Sequence, residues 1–377
     1  MKKIHIALVG GQPIPVYLGI KDDGQANTVV LVCSPQSRVE AERIRAQFSK
    51  RNVVMMECHP TDLGQVERLA EALREEFSED EVTVNLTSGT KLWTLAFFRV
   101  FSNHNAARFI YVDQTNLMVD IMSKESHQCD IDKQTRFELY GTPLRDFYSI
   151  NEYTDKDKNV MKEIEKIRKV NKKAFTKMTN GVTKETLKDE NQKSDVESGS
   201  SIEWDYMTKW ARITLIGLRD TVTKELQSEH LFEILFNAGW FELKTALEFK
   251  RIPNVKDIWM NCKFTDSDGN AKNEIDVIVD LGTRLLFAEC KTMVYDVTDI
   301  DKFRSALRNF SGTSSTGIFV TYEKPNENTQ ERYQHAMEKC IDNDIQTFNF
   351  SLWKQDSAHL PSLSQIVEEV LLKQNKR

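Results

Sequence analysis

Five short apolar runs, residues 4–9, 29–33, 53–58, 82–86 and 109–112, alternate with stretches of helical periodicity, an order that a parallel sheet flanked by helices satisfies. The helical signal is clearest after residue 60. Thr61 or Asp62 can cap that helix, and Leu63, Val66, Leu69, Leu73 and Phe77 recur on one face. Ligands of such folds sit in loops at the carboxyl ends of the strands. Three loops qualify: Gly10-Gly11-Gln12-Pro13-Ile14-Pro15, Ser34-Pro35-Gln36-Ser37 and Thr87-Ser88-Gly89-Thr90-Lys91. In the last, backbone N–H groups at the start of an apolar helix, three hydroxyls and the Lys91 ammonium can together hold an anion. It is no P-loop, because Val84 and Leu92 break the required spacing, and the first loop does not read as G-x-G-x-x-G. An ordinary glycine-containing loop with Ser and Thr as helix caps is the simpler alternative.

The other dense signal spans residues 273–292, Asn-Glu-Ile-Asp-Val-Ile-Val-Asp-Leu-Gly-Thr-Arg-Leu-Leu-Phe-Ala-Glu-Cys-Lys-Thr. A strand's period of two sends Glu289 and Lys291 to one face and Cys290 to the other. Asp276 is expected to reach the same face from the neighbouring strand. Two carboxylates so close raise each other's pKa unless a hard divalent cation such as Mg²⁺ or Mn²⁺ sits between them. A lysine beside that cation can position water and steady charge on phosphate. An E-x-K also arises by chance on solvated strands. Here, however, Leu285-Leu286-Phe287-Ala288 precedes it, and such a buried strand rarely ends in charges without a purpose. Glu233, alone in the apolar helix His230-Leu231-Phe232-Glu233-Ile234-Leu235-Phe236, is a third candidate carboxylate.

Helix with Glu233, strand with Asp276, then Glu289-x-Lys291 resembles the PD-(D/E)XK restriction-endonuclease-like superfamily over about residues 225 to 350. The wording of 273–276 and 289–292 is similar to the nucleases joined to CARF sensor domains in type III CRISPR defence. The resemblance implies an α/β chain: a Rossmann-like CARF domain over 1–150, a charged helical and flexible linker over 151–201, and a nuclease domain over 202–377. It implies catalysis by Asp276, Glu289, Lys291 and Glu233, with Mn²⁺ or Mg²⁺ on Asp276, Glu289 and the backbone carbonyl of Cys290. It further implies a cyclic oligoadenylate activator, cyclic tetra-adenylate being the expected ring, contacted by Gln12, Ser34, Thr87, Ser88, Gly89, Thr90 and Lys91. Known members dimerise through this domain, so a homodimer acting on DNA, with RNA as a second substrate, is expected. The usual motif has a glycine where this chain has Ser88.

Composition bounds the rest. At 377 residues the chain exceeds one typical core. Its six cysteines show no C-x-x-C and mostly fall in apolar runs, which favours reduced, packed thiols and a cytoplasmic setting. The N-terminus is better read as a first strand than as a signal peptide, and no run approaches a membrane span. A net charge of −6 is unusual for a protein that grips a polyanion. Lys244, Lys250, Arg251, Lys256 and Lys263 are a local basic cluster that could offset it. Residues 155–177 keep an apolar stripe, Val160, Ile164, Ile167, Val170 and Ala174, expected to pack weakly or against a partner copy. Residues 180–200 read as a flexible linker, after which a helix is expected. Arg99 and His104 match the R-x₄₋₆-H spacing of another ribonuclease class but fall in the sensor half, where the match is read as coincidence. The rival functions are a non-enzymatic, ligand-gated nucleic-acid binder and a self-contained repair or restriction nuclease.

Overall fold

The computed structural model describes all residues except 254, 267, 283, 295–296, 312–314 and 373–377; position 283 of the 273–292 motif therefore lies outside the described residues. The chain divides into two compact units. One is Met1–Arg145 with Phe264–Lys272 and Arg308–Ser314; the other is Asp146–Lys263 with Asn273–Leu307 and Ser315–Arg377.

In the first unit β1 (Lys3–Val9), α1 (Pro13–Asp22), β2 (Thr28–Cys33), α2 (Arg38–Gln47), β3 (Asn52–Glu57), α3 (Leu63–Glu76), β4 (Glu81–Asn85), α4 (Lys91–Phe101) and β5 (Ala107–Val112) alternate in turn. There follow β6 (Leu117–Asp120), β7 (Ser126–Gln128) and α5 (Lys133–Leu139). The sheet order is β3-β2-β1-β4-β5-β6-β7, with β1 to β5 parallel and the last two pairings antiparallel. Period-two alternation along β1 builds two cores. Ile4, Ile6 and Leu8 pack with Val66, Ala70, Trp93 and Phe97, whereas Ala7 and Val9 pack with Ile14, Leu18 and Ile44. Asp62 caps α3, its carboxylate accepting from the Gln65 amide at 3.0 Å. Because strand order reverses between β1 and β4, the loops leaving those two strands adjoin, the position where open α/β sheets hold ligands.

The second unit opens with β8 (Leu144–Ser149), α6 (Asp155–Ile167), α7 (Lys172–Thr179), α8 (Lys184–Asp189), β9 (Gln192–Asp195), β10 (Ser200–Asp205), β11 (Trp210–Ile216) and β12 (Thr221–Gln227). Next come α9 (Leu231–Leu235), α10 (Gly239–Phe249), β13 (Asp257–Thr265), β14 (Ala271–Asp280), β15 (Leu285–Lys291), α11 (Thr298–Ser311) and β16 (Ser315–Thr321). The chain closes with α12 (Gln330–Asp342), β17 (Gln346–Asn349), α13 (Phe350–Gln355) and α14 (Leu363–Leu372). A mixed sheet runs β17-β16-β15-β14-β13-β8, and β12-β11-β10-β9 form a separate antiparallel sheet.

Three expectations for residues 151–227 are corrected here. The apolar stripe of α6 and α7 is internal: Val160, Ile164, Ile167 and Ala174 are at most 5% exposed, in one cluster with Phe232, Trp240 and Val277. The 180–200 stretch is built as α8, β9 and the start of β10 rather than as a flexible linker. Of its apolar groups Val182 and Leu187 join that cluster while Val196 stays exposed, and β9 pairs along one edge with β10. The segment after it is strand, not helix. Ile202 and Trp204, then Ala211, Ile213 and Leu215, are buried at every second position, a period of two that a helix cannot present on one face.

Candidate functional site

Strand β15 is buried through Leu285, Leu286, Phe287 and Ala288, then opens into a cavity of about 840 Å³. Glu233, Glu242, Glu274, Asp276, Cys290, Lys291, Lys184 and Lys263 are among the residues lining it. Lys291 Nζ donates to Glu289 Oε1 at 2.6 Å, as the shared strand face requires, while the buried Cys290 joins the apolar cluster and also borders the cavity. The antiparallel ladder pairs Val277 with Ala288. Just beyond, the Cys290 amide donates to Asp276 Oδ2 at 2.7 Å, so the Asp276 carboxylate is held at the end of β15.

Crowding of acids governs the electrostatics. Burial and then Asp276 push Glu289 up to about 8. Burial also raises Asp276, against the opposing pull of Lys291, and raises Glu242 well above the carboxylate range with help from Asp276 and Glu274. For Lys291, burial favours the neutral amine, but Asp276 and Glu289 outweigh it and the ammonium is held more firmly than usual. An anionic phosphodiester would be repelled from so acidic a cavity unless cations entered with it. Among the described residues, no three of these side chains bring ligand oxygens within 4.8 Å of one another. The oxygen donors of Asp276 and Glu289 are of the type that fits a hard cation, with water and backbone or phosphate oxygens completing its shell.

Sequence reasoning missed Glu242. It is a buried acid in the largely apolar helix α10, a signal like the one that singled out Glu233, and Asp276, Glu274, Lys291 and Glu289 all act on it. Glu233 lines the same cavity, but Tyr148 donates to its Oε1 at 3.3 Å and its buried Oε2 has no hydrogen-bond partner. The two glutamates are set by the α9–α10 turn, in which Asn237 and Ala238 adopt φ of 51° and 67°. Gly239 follows them, and a Cβ there would lie 1.7 Å from the Glu233 carbonyl oxygen. Gly239→Ala is therefore expected to cost about 2–3 kcal/mol in urea denaturation, since the two helices must part to admit a methyl; an unchanged midpoint would contradict this.

The basic cluster does not gather as one patch. Lys244 pairs with Glu165 at 3.2 Å, Arg251 with Glu248 at 2.9 Å, and Lys250 donates to Asn151 at 2.7 Å. Of these residues, Lys263 lines the acidic cavity.

In the first unit, the loops after β1 and β4 are tied together by the Gly10 amide donating to Ser88 Oγ at 3.0 Å. Most of the hydroxyls expected at a ligand serve the fold. Ser34 and Ser37 form a reciprocal cap, and Thr87 Oγ1 accepts from the Val112 amide at 2.8 Å while donating to Asn85. Thr90 caps α4 by accepting from the Trp93 amide at 3.2 Å and donates to the Pro60 carbonyl at 3.0 Å. Gly89 has φ of 78°, and a Cβ there would meet Trp93 at 2.9 Å, so glycine is required. Lys91 is exposed at the first position of α4, and Gln12, at the start of α1, accepts from the Tyr140 hydroxyl at 3.5 Å.

Residues 4–140 match the family model of the Card1 CARF domain. The fold of the N-terminal unit is the Rossmann-like CARF fold. No curated protein is similar enough in sequence to count as a relative. Among solved structures, Can2 from Sulfobacillus thermosulfidooxidans, in complex with cyclic tetra-adenylate, is 18% identical with a TM-score of 0.60, over 92% of this chain and 95% of that one. VC1899 from Vibrio cholerae is 13% identical with a TM-score of 0.63, over 98% of both chains. A type III CRISPR defence DNA nuclease activated by cyclic oligoadenylate is 16% identical with a TM-score of 0.53, over 86% of this chain and 46% of that one. At these identities the likeness is one of fold. Within the CARF domain, Arg99 pairs with Glu67 and both ring nitrogens of His104 meet backbone groups, of Phe77 and Ala106, which fits coincidence. Among the described residues no helix is long and apolar enough to cross a membrane.

Proposed function

We propose that this chain is a cyclic-oligoadenylate-gated, metal-dependent nuclease of CRISPR defence, with a restriction-endonuclease-like second unit. The observation that carries the reading is the pairing, in one chain, of a CARF domain with Asp276, Glu289 and Lys291 gathered at the end of a buried strand, where Asp276 and Lys291 line the cavity. Asp276 and Glu289, with the backbone carbonyl of Cys290, would hold Mg²⁺ or Mn²⁺. The cation would supply Lewis-acid activation of phosphate and lower the pKa of a bound water. Lys291, charged at any working pH, steadies the anionic phosphate, while Glu242 and Glu233 enclose the cavity. Lys184 and Lys263 offer cations to the flanking backbone. Among the described residues no base-reading element stands out, so little sequence preference is expected, with DNA as the substrate and RNA as a second one.

Two CARF domains sharing one ring across a two-fold axis would double every contact that a single Lys91 loop offers. A ring that binds the competent arrangement preferentially by about 5.5 kcal/mol would shift a 1:99 population to 99:1. The deciding experiment incubates the full chain with tri-, tetra- and hexa-adenylate rings, Mn²⁺ or Mg²⁺, and labelled DNA and RNA. Cleavage that needs both metal and one ring supports the proposal; ring-independent or absent cleavage refutes it. Lys91→Ala is expected to raise the half-activating ring concentration at least about tenfold, the loss of one charge-assisted contact, with the activated maximum unchanged. Undiminished affinity for the ring in calorimetry would remove Lys91 from that site.

A further inference from the structure

A second group of ligating side chains lies in the CARF domain, apart from its ligand loops. Asp22 ends α1, the helix whose start carries Gln12, so about 15 Å of helix separates the two. His127 lies at the centre of β7 and Cys129 follows that strand. One carboxylate oxygen, one imidazole nitrogen and the thiol sulfur all fall within 4.8 Å of one another. His127 Nε2 is 2.7 Å from Asp22 Oδ1, across 105 residues of sequence. Cys129 is 8% exposed.

Two simpler readings explain less. A surface ion pair beside a packed core thiol accounts for each group singly but not for the Cys129 sulfur lying within 4.8 Å of both ligand atoms. A nucleophile with its base requires an accessible, readily ionised thiol, whereas burial and then Asp22 raise the Cys129 pKa. A divalent cation satisfies all three groups. Thiolate and carboxylate together carry the two negative charges it needs, the neutral imidazole adds a third donor, and the ion displaces the thiol proton. Sulfur with nitrogen selects a borderline cation over Mg²⁺ or Ca²⁺, and Zn²⁺ accepts this mixture in tetrahedral sites with about 2.0–2.3 Å bonds. Ligand atoms already this close need only small rotations about their side-chain bonds. Lys21, beside Asp22, donates to the Asp130 carbonyl at 2.9 Å and opposes the rise of the Cys129 pKa, so it eases loss of the thiol proton.

We propose that Asp22, His127 and Cys129 form a Zn²⁺-type site, completed by water, that clamps the end of α1 to the β6–β7 hairpin. It is independent of the carboxylate cavity in the other unit and of the proposed nuclease activity.

Cobalt is the probe, because a thiolate ligand gives Co²⁺ an intense near-ultraviolet charge-transfer band that carboxylate sites lack. Titration of the reduced full-length chain with Co²⁺ alone should produce this band at one equivalent. Cys129→Ser should abolish it, whereas Cys290→Ser and Glu289→Gln should retain it. His127→Ala alters an exposed side chain and should leave the circular dichroism unchanged while weakening the band's apparent affinity at least tenfold. In a Glu289→Gln background, which removes the carboxylate site, Zn²⁺ should raise the melting temperature, and adding His127→Ala should abolish that rise. A wild type without the band, a band that survives in Cys129→Ser, or unchanged affinity in His127→Ala would each overturn the site.

Discussion

Glu289→Gln and Asp276→Ala are each expected to lower activated, metal-dependent cleavage by about a thousandfold or more, while the affinity for the cyclic oligoadenylate stays at the wild-type value. Cleavage of a phosphodiester places extra charge on its oxygens, and preorganised positive charge at that point is the largest single contribution a site can make. Here the positive charge is a cation that these two carboxylates would hold. Glutamine keeps the shape of Glu289 but removes the anion, and it leaves Lys291 without its 2.6 Å partner. Asp276 has the additional task of accepting from the Cys290 amide, so its loss also frees the end of β15. Lys291→Ala should be nearly as inactive while still binding the ion. Glu242→Gln should fall between, since Glu242 lines the same cavity and Asp276 and Glu289 act on it there. Activity within tenfold of wild type for Glu289→Gln would remove this cavity as the catalytic centre, and loss of ring binding would show that the substitution acts on folding.

Divalent-cation affinity should climb steeply with pH and level off above about 8. Burial, followed by repulsion from Asp276, holds Glu289 near that value, and Asp276 and Glu242 are raised as well. Below about pH 8 an incoming cation must displace a proton from Glu289, so affinity should gain about tenfold per pH unit for each proton released. The sign of the stability effect follows from the same shift. A carboxyl raised in the folded state binds more protons folded than unfolded between the ordinary carboxylate range and about pH 8. In that window the stability of the metal-free protein must fall as pH rises, and Mn²⁺ should cancel the fall. Calorimetry in buffers of different ionisation enthalpy measures the released proton directly, and thermal melts with and without Mn²⁺ measure the stability. A cation affinity that does not vary between about pH 6 and pH 8 would exclude a protonated Glu289 from the binding site.

How far the chain could be read in advance depended on how local the causes were. The parallel order of β1 to β5, the capped helix after Asp62 and the common face of Glu289 and Lys291 follow from periods of two and 3.6, which are properties of a few consecutive residues. The 180–200 stretch was misread for the opposite reason. Composition alone gave it too little apolar surface to order itself, and its order comes from β10 pairing with β9 and from Val182 and Leu187 entering a core made by other elements. The strands of residues 200–227 were misread in the same way, because Trp210, Ile213 and Ile216 also fit a helical spacing until their partners are known.

Site chemistry divides along the same line. Sequence by itself determined which residue types could hold a cation, and that Asp276, Glu289 and Lys291 would share one face. Only the tertiary structure decided that Glu242 belongs with them, and that hydroxyls of Ser34, Thr87 and Thr90 are engaged by the fold. It alone drew Asp22 to His127 and Cys129 over a separation of 105 residues. The physical reason is that coulombic and ligating interactions depend on distance in space, while a sequence pattern reports only neighbours along one helix or strand.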